Sequence, residues 1–174
     1  MDLKSKVRRI PEFKGVVFWD ITPLLKDKDA FRECIKRIAN HFRAKKIDLV
    51  VSNEARGFII GGAVAYELGV GFVPIRKKGK LPSQVVNLTY NKEYESDTIE
   101  IHEDSIEPGK RVLLVDDLLA TGGTIKANAE LVEKLGGEIV GMGFLIELDY
   151  LHGRECLGTK YDIFSIINYK TTAE

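Results

Sequence analysis

The sequence predicts an α/β fold, a central and mainly parallel sheet flanked by helices, and three observations carry the prediction. Short apolar runs suited to buried strands alternate with longer runs of helical period, ending in a last strand over Tyr161 to Ile167. Two of these alternations, around residues 47–68 and 112–135, read as strand, loop and helix in immediate succession. The chain has 174 residues, 44% of them hydrophobic, enough for one good core and so for one domain spanning residues 1–174.

The second of these units says most about chemistry. Val112 to Val115 is a short buried strand, and Asp116 and Asp117 sit at its C-terminal end. Leu118-Leu119-Ala120-Thr121-Gly122-Gly123-Thr124 then leads into the amphipathic run Ile125 to Leu135. Gly122 and Gly123 suit a tight turn around an anion. Their amides, with the hydroxyls of Thr121 and Thr124, can converge on one phosphate at the positive end of the helix dipole. Paired carboxylates would repel that phosphate, so Asp116 and Asp117 must serve hydroxyls or a cation, and a phosphorylated sugar meets both demands. An acidic pair after an apolar strand also opens receiver domains, but too little chain follows Asp117 to complete one. The magnesium-binding strand of a P-loop NTPase needs a G-x-x-x-x-G-K-[ST] loop, which is absent from the sequence. The stretch resembles the phosphoribosyl-diphosphate (PRPP) signature of type I phosphoribosyltransferases, and Leu-Leu-Ala-Thr-Gly-Gly-Thr is similar to the adenine phosphoribosyltransferase branch. The resemblance runs from about Ile10 to Leu157. It implies the type I phosphoribosyltransferase fold with a small N-terminal hood (residues 1–27) and a flexible flap or lid (residues 76–97). It also implies that Asp116 and Asp117 hold the ribose hydroxyls, and that Ala120, Thr121, Gly122, Gly123 and Thr124 hold the 5′-phosphate.

Taken in order, Leu3 to Ile10 reads as a short helix stopped before Pro11. Gly15 to Leu25 is too apolar and turn-rich for a solvated arm and is expected as a packed lobe. Its wording, Gly-Val-Val-Phe-x-Asp-Ile-Thr-Pro-Leu-Leu, resembles the family's hood over the base. That implies main-chain reading of the adenine edge at Val17 and Trp19, with Phe18 packed on the ring. Trp19 stands where a basic residue is frequent, the approach Phe13-Lys14-Gly15 is shorter than usual, and core packing accounts for both aromatics as well. From Ala30 to Arg43, Phe31, Ile35, Ile38, Ala39 and Phe42 recur at helical spacing on an outer helix, with His41 among its polar positions.

Ile47 to Ser52 suits a central parallel strand, followed by Asn53 to Phe58 and a helical run from Ile59 to Leu68. Glu54-Ala55-Arg56-Gly57-Phe58 resembles the family's diphosphate loop. Glu54, Ala55 and Arg56 are thereby expected at the diphosphate, with a cis peptide between Glu54 and Ala55 and a catalytic role for Arg56, whose rigid fork matches phosphate oxygens. The strand Gly71 to Ile75 ends in Arg76-Lys77-Lys78-Gly79-Lys80, on its own a solvated basic loop. The resemblance makes it the start of the flap, with Arg76 and Lys80 approaching the diphosphate. Ser83 to Asp97 reads as a mobile hairpin. Within it Tyr90-Asn91-Lys92-Glu93-Tyr94 resembles the family's Tyr-x-x-Glu-Tyr, which implies Glu93 as acid/base for the N9 proton and Tyr90 and Tyr94 as lid residues. Thr98 to His102 alternates as a strand, Ile99 and Ile101 on one face and Glu100 on the other, and His102 is not expected to be catalytic. Gly136-Gly137 ends the signature helix, and Glu138 to Glu147 supplies a further strand. Leu151-His152-Gly153-Arg154 matches the family's wording without an assigned chemistry.

Lysine plus arginine equals aspartate plus glutamate, 26 each, so net charge gives no case for nucleic acid or a membrane surface as partner. Met1 to Arg9 is charged and no apolar run approaches the ~20 residues that span a bilayer, which points to the cytoplasm. Cys34 and Cys156 fall in separate helical runs without metal-ligand spacing and are expected as reduced thiols. The resemblance implies transfer of the phosphoribosyl group of PRPP to N9 of adenine, giving AMP and diphosphate. It further implies Mg2+ held mainly through PRPP with no direct protein ligand, and a homodimer with its interface near the diphosphate loop. Hypoxanthine, guanine or xanthine stays open as the base, because the phosphate motif is silent on it. A PRPP-sensing transcription regulator would need a DNA-binding module, for which the chain has neither spare length nor a basic helix.

Overall fold

The computed structural model describes residues 1–91 and 96–174. It begins with a 3-10 turn, Lys4–Lys6, and an antiparallel hairpin of β1 (Arg8–Phe13) and β2 (Val16–Asp20). The helix expected over Leu3 to Ile10 is therefore one short turn and a strand, because Arg8, Arg9 and Ile10 pair with Asp20, Trp19 and Phe18 and this pairing outweighs local propensity. The lobe expected from Gly15 to Leu25 is packed at its C-terminal half, where Trp19, Ile21 and Leu24 are buried, but Phe13 and Val16 at the hairpin end are exposed.

The chain continues through α1 (Thr22–Lys26), α2 (Lys28–Phe42), β3 (Leu49–Asn53), α3 (Arg56–Leu68), β4 (Gly71–Lys77), β5 (Val85–Asn91), β6 (Ser96–His102), β7 (Arg111–Leu119), α4 (Gly123–Lys134), β8 (Glu138–Leu148), α5 (Gly153–Leu157) and β9 (Ile163–Tyr169). Among the described residues seven strands form one sheet in the order β5-β6-β4-β3-β7-β8-β9. The five strands from β4 to β9 in that order are parallel, and β6 and β5 extend the sheet antiparallel beyond β4.

Alternation along each central strand divides the core. Val50, Leu113, Val115 and Leu145 join α2 and α3 on one face, whereas Val51, Val112, Leu114 and Met142 join α4 on the other. No helix among the described residues is long and apolar enough to cross a membrane. Cys34 is buried, Cys156 exposed, and both are free thiols.

The strand order sets the position of the site. From β3 the chain crosses to β4 on one side, whereas β7 lies on the other, so the order reverses between β3 and β7. In open parallel sheets such a switch point leaves a crevice beyond the C-terminal strand ends, because the loops on either side lead away from each other. Both strand–loop–helix units deliver their loops there.

Candidate active site

Asp116 and Asp117 lie within β7, which runs on to Leu119 rather than ending before the acids. Being consecutive in a strand, they point to different neighbours. Asp116 lies against the first turn of α3. A Cβ on Gly57 would come within 2.7 Å of its Oδ1, so a larger residue at position 57 would displace the Asp116 carboxyl. Asp117 is 7% exposed and its Oδ2 lies 2.9 Å from Arg56 Nε, while its own N–H donates to Asp116 Oδ1 at 2.8 Å. Burial, and then the charge of Asp117, push the Asp116 carboxyl well above its ordinary range. Burial also raises Asp117, against the opposing pull of Arg56.

Downstream, Ala120 to Thr124 turns into the first residues of α4. Gly122 has φ of +87°, and a Cβ there would meet the Gly153 carbonyl oxygen at 2.7 Å, so the turn depends on glycine twice over. With Asp116, residues 118–125 line a cavity of about 60 Å³ at the head of α4. This is a place where main-chain N–H groups and the helix dipole favour an anion. Tyr90 on β5 reaches the same turn, its hydroxyl 3.2 Å from Thr124 Oγ1.

The β3–α3 loop faces this turn across the crevice. The peptide bond Glu54–Ala55 is cis. Arg56 opens α3, pairs with Asp117, and has its guanidinium carbon 5.1 Å from the centre of the Phe18 ring on β2. One side chain thus spans the acids of β7 and the N-terminal hairpin, a contact suited to a planar cation over an aromatic face. Glu54 turns the other way: its Oε1 accepts from Lys77 N at 2.8 Å and from Arg76 Nε at 3.2 Å. Arg76 Nη1 also donates to the Lys80 carbonyl at 3.4 Å. Arg76 and Lys80 therefore stand on one cationic turn, stapled at its base by Glu54.

Of the expected base contacts, Phe18 and Val17 are half-buried on β2. The Trp19 side chain is in the core, 4% exposed and stacked on Tyr169 at 3.6 Å between ring centres, with its Nε1 3.5 Å from Tyr150 Oη. Its indole is used for packing, which leaves only its main chain for a base. Glu93 and Tyr94 lie outside the described residues.

Three features of the neighbourhood had no assigned role in the sequence. Glu100, expected opposite the buried face of its strand, is itself 3% exposed and accepts from the N–H groups of Lys80 and Leu81. His102 Nε2 donates to the Pro82 carbonyl at 2.7 Å. Arg154 forms a fork on Glu147, at 2.6 and 2.8 Å, and holds α5 so that Gly153 backs directly onto Ala120. The Leu-x-Gly-Arg wording was the only sequence signal among these. Among the described residues no three His, Cys, Asp or Glu side chains converge to hold a metal ion.

A small cavity at a helix head, paired acids beside it at the switch point of a parallel sheet, and a cationic turn after β4 of the same sheet define a phosphoribosyltransferase. A model of the family described as phosphoribosyl transferase domain matches residues 21–172, and the chain belongs to that family. Within it the chain belongs with the adenine phosphoribosyltransferases. The protein of that name from Acidobacterium capsulatum is 56% identical over 169 residues, 96% of this chain and 93% of its own. The crystal structure of the Thermoanaerobacter pseudethanolicus enzyme has a TM-score of 0.93 at 50% identity, covering 97% of this chain and 98% of that one. The Giardia lamblia enzyme, complexed with 9-deazaadenine, has a TM-score of 0.92 at 40% identity, covering 98% and 97%.

Proposed function

We propose that this protein transfers the phosphoribosyl group of PRPP to N9 of adenine, giving AMP and diphosphate, as a step of purine salvage. The observation that carries the reading is the one crevice shared by Asp116, Asp117, the Ala120–Thr124 turn and Arg56, with Phe18 beyond Arg56. It offers a phosphate seat, hydroxyl acceptors and an aromatic face in the order in which 5′-phosphate, ribose and base occur in the product.

The chemical difficulty is departure of diphosphate from the anomeric carbon, which leaves positive charge on the sugar. Arg56, Arg76 and Lys80 stabilise the negative charge that develops on the leaving group. Asp116 and Asp117 hold the ribose hydroxyls and offset the cationic ring, and the hydroxyls donating to them relieve the raised carboxyls. The 5′-phosphate in the Ala120–Thr124 turn fixes the sugar far from the reacting carbon, so binding energy serves orientation. N9 of adenine then bonds to the anomeric carbon, the base lying against Phe18 with its edge toward the main chain of Val17 and Trp19, and its N9 proton passes to Glu93. Tyr90, Tyr94 and the rest of 76–97 act as a lid that keeps water from the cation. Mg2+, when bound, screens the diphosphate oxygens. Mg2+ prefers to keep several waters and to bind through substrate phosphates, so an ion carried in on PRPP is proposed.

We further propose a cytoplasmic homodimer of single-domain chains. Ile59 and Tyr66 are 46% and 89% exposed and lie seven residues apart on one face of α3, the helix that starts at Arg56. A second copy on that apolar stripe would lie beside the diphosphate loop. Sedimentation of the protein and of Tyr66→Lys checks this, with a monomer expected from the variant only.

The activity is tested by nucleotide formation from Mg2+-PRPP with adenine, hypoxanthine, guanine or xanthine supplied separately. AMP from adenine alone is expected, with turnover lowered about 10²- to 10⁴-fold in Glu93→Ala. Turnover of an oxo-purine would keep the PRPP site and overturn the base assignment, and PRPP binding without turnover of any base would overturn catalysis.

A further inference from the structure

We propose that Glu100 is a positioning residue for the diphosphate half of the site: its carboxylate holds the main chain of the 79–81 turn so that Lys80 is presented alongside Arg76. The proposal rests on the reading above that Arg76 and Lys80 meet the diphosphate.

Glu100 sits in β6 between the buried Ile99 and Ile101, and is directly opposite Arg76 of β4 in the antiparallel register. At 3% exposure a carboxylate is costly there unless its lone pairs are used. They are used by one segment. Oε1 accepts from Lys80 N at 2.9 Å and from Leu81 N at 2.8 Å. Two residues on, and so on the same face of the strand, His102 donates to the carbonyl of Pro82. The Lys80 carbonyl is held in turn by Arg76 Nη1. Lys80 is thus fixed at both its N–H and its C=O, by Glu100 and by the other cation of the pair.

The location argues against a purely structural role. A purely structural link at this buried position of β6 could be apolar. Here a negative charge is retained beneath four cations in five residues, Arg76, Lys77, Lys78 and Lys80, whose mutual repulsion would otherwise open the turn. Glu54 does the same from the β3–α3 loop, through Lys77 N and Arg76 Nε. Two acids from different segments thereby brace the turn, Glu100 at the main chain of Lys80 and Leu81 and Glu54 at the main chain of Lys77 and the Arg76 guanidinium. Burial opposes ionisation of Glu100. Donation from the N–H groups of Leu81, Gly79 and Lys80, and the nearby His102, nonetheless hold its carboxyl below the usual glutamate value.

The test is calorimetric binding of Mg2+-diphosphate and, separately, of AMP to the full-length wild type, Glu100→Ala, Glu100→Gln and Lys80→Ala. Glu100→Ala is expected to weaken diphosphate by about tenfold, the scale of a lost charge-assisted hydrogen bond, and to leave AMP within about twofold. Glu100→Gln keeps an oxygen where both N–H groups point, so it should recover part of the loss, and it supplies the readout should the alanine variant fail to fold. Equal weakening of AMP and diphosphate, or no weakening of either, overturns the proposal. Undiminished diphosphate binding in Lys80→Ala overturns instead the reading on which it rests, and the proposal with it.

Discussion

The 118–125 turn lies at the end of β7 and the 76–81 turn at the end of β4, strands of one sheet with β3 between them, and both suit phosphate oxygens, yet they are built in opposite ways. The first is local. It is a run of consecutive residues at the head of α4, set between two parallel core strands, and it needs only glycine geometry and main-chain N–H groups with Gly153 at its back. The second is assembled over distance. Its cations leave the end of β4 at the antiparallel margin of the sheet and are held by acids more than twenty positions away or nearly so, Glu54 against Lys77 and Glu100 against Lys80. A main-chain anion seat comes with its own geometry, whereas a seat made of long cationic side chains requires acids to hold it open between encounters. Arg56 belongs to neither turn: it touches Asp117 on one side and Phe18 of the N-terminal hairpin on the other.

The contrast can be broken by substitution. The largest effect is expected from Gly122→Ala, which combines a positive φ with a clash against Gly153. A displacement of the turn on the ångström scale should lower kcat/KM for PRPP by about 100-fold, measured by initial rates. Arg56→Lys comes next. Lysine lacks the planar fork that reaches from Asp117 to Phe18, so KM for PRPP and for adenine should both rise, PRPP by about tenfold.

Asp116→Asn sharpens the comparison through stability. Because the folded carboxyl is raised by burial and by Asp117, its contribution is fully present below the unfolded value and is lost as pH rises through the folded one. The variant should therefore unfold later than the wild type at pH 7, by about 2–4 °C for each ~1 kcal/mol regained, and show no such gain near pH 4, while turning over poorly. Equal melting at both values would mean that the pair is not strained. The smallest change is expected from Trp19→Phe. It keeps an aromatic stack on Tyr169 and costs about 1 kcal/mol in denaturant unfolding, with KM for adenine unchanged because the indole faces away from the base.

The same contrast explains what was legible in the sequence. Asp116, Asp117 and Gly122 were readable because strand, acids, turn and helix follow one another within a dozen residues, and the parallel sheet because each buried strand is a continuous apolar run. Arg56 was readable only through the wording of its loop. Alternation placed Glu100 opposite Ile99 and Ile101 but could not show that this second face is buried too. The polar face of β6 is covered by a turn from elsewhere in the chain, and nothing local announces that. Trp19 was undecided for the same reason, since its partner Tyr169 lies at the far end of the sequence. The first strand was taken for a helix because its pairing with β2, and not its own composition, decides its shape.

The most direct test of the account is a crossed pair of affinities, AMP and Mg2+-diphosphate titrated against Gly122→Ala and Glu100→Ala. The account predicts that Gly122→Ala loses AMP and keeps most of its diphosphate affinity, and that Glu100→Ala does the reverse. Parallel losses of both ligands in both variants would contradict it, and would mean that the crevice is one structural unit rather than a local seat and a braced one.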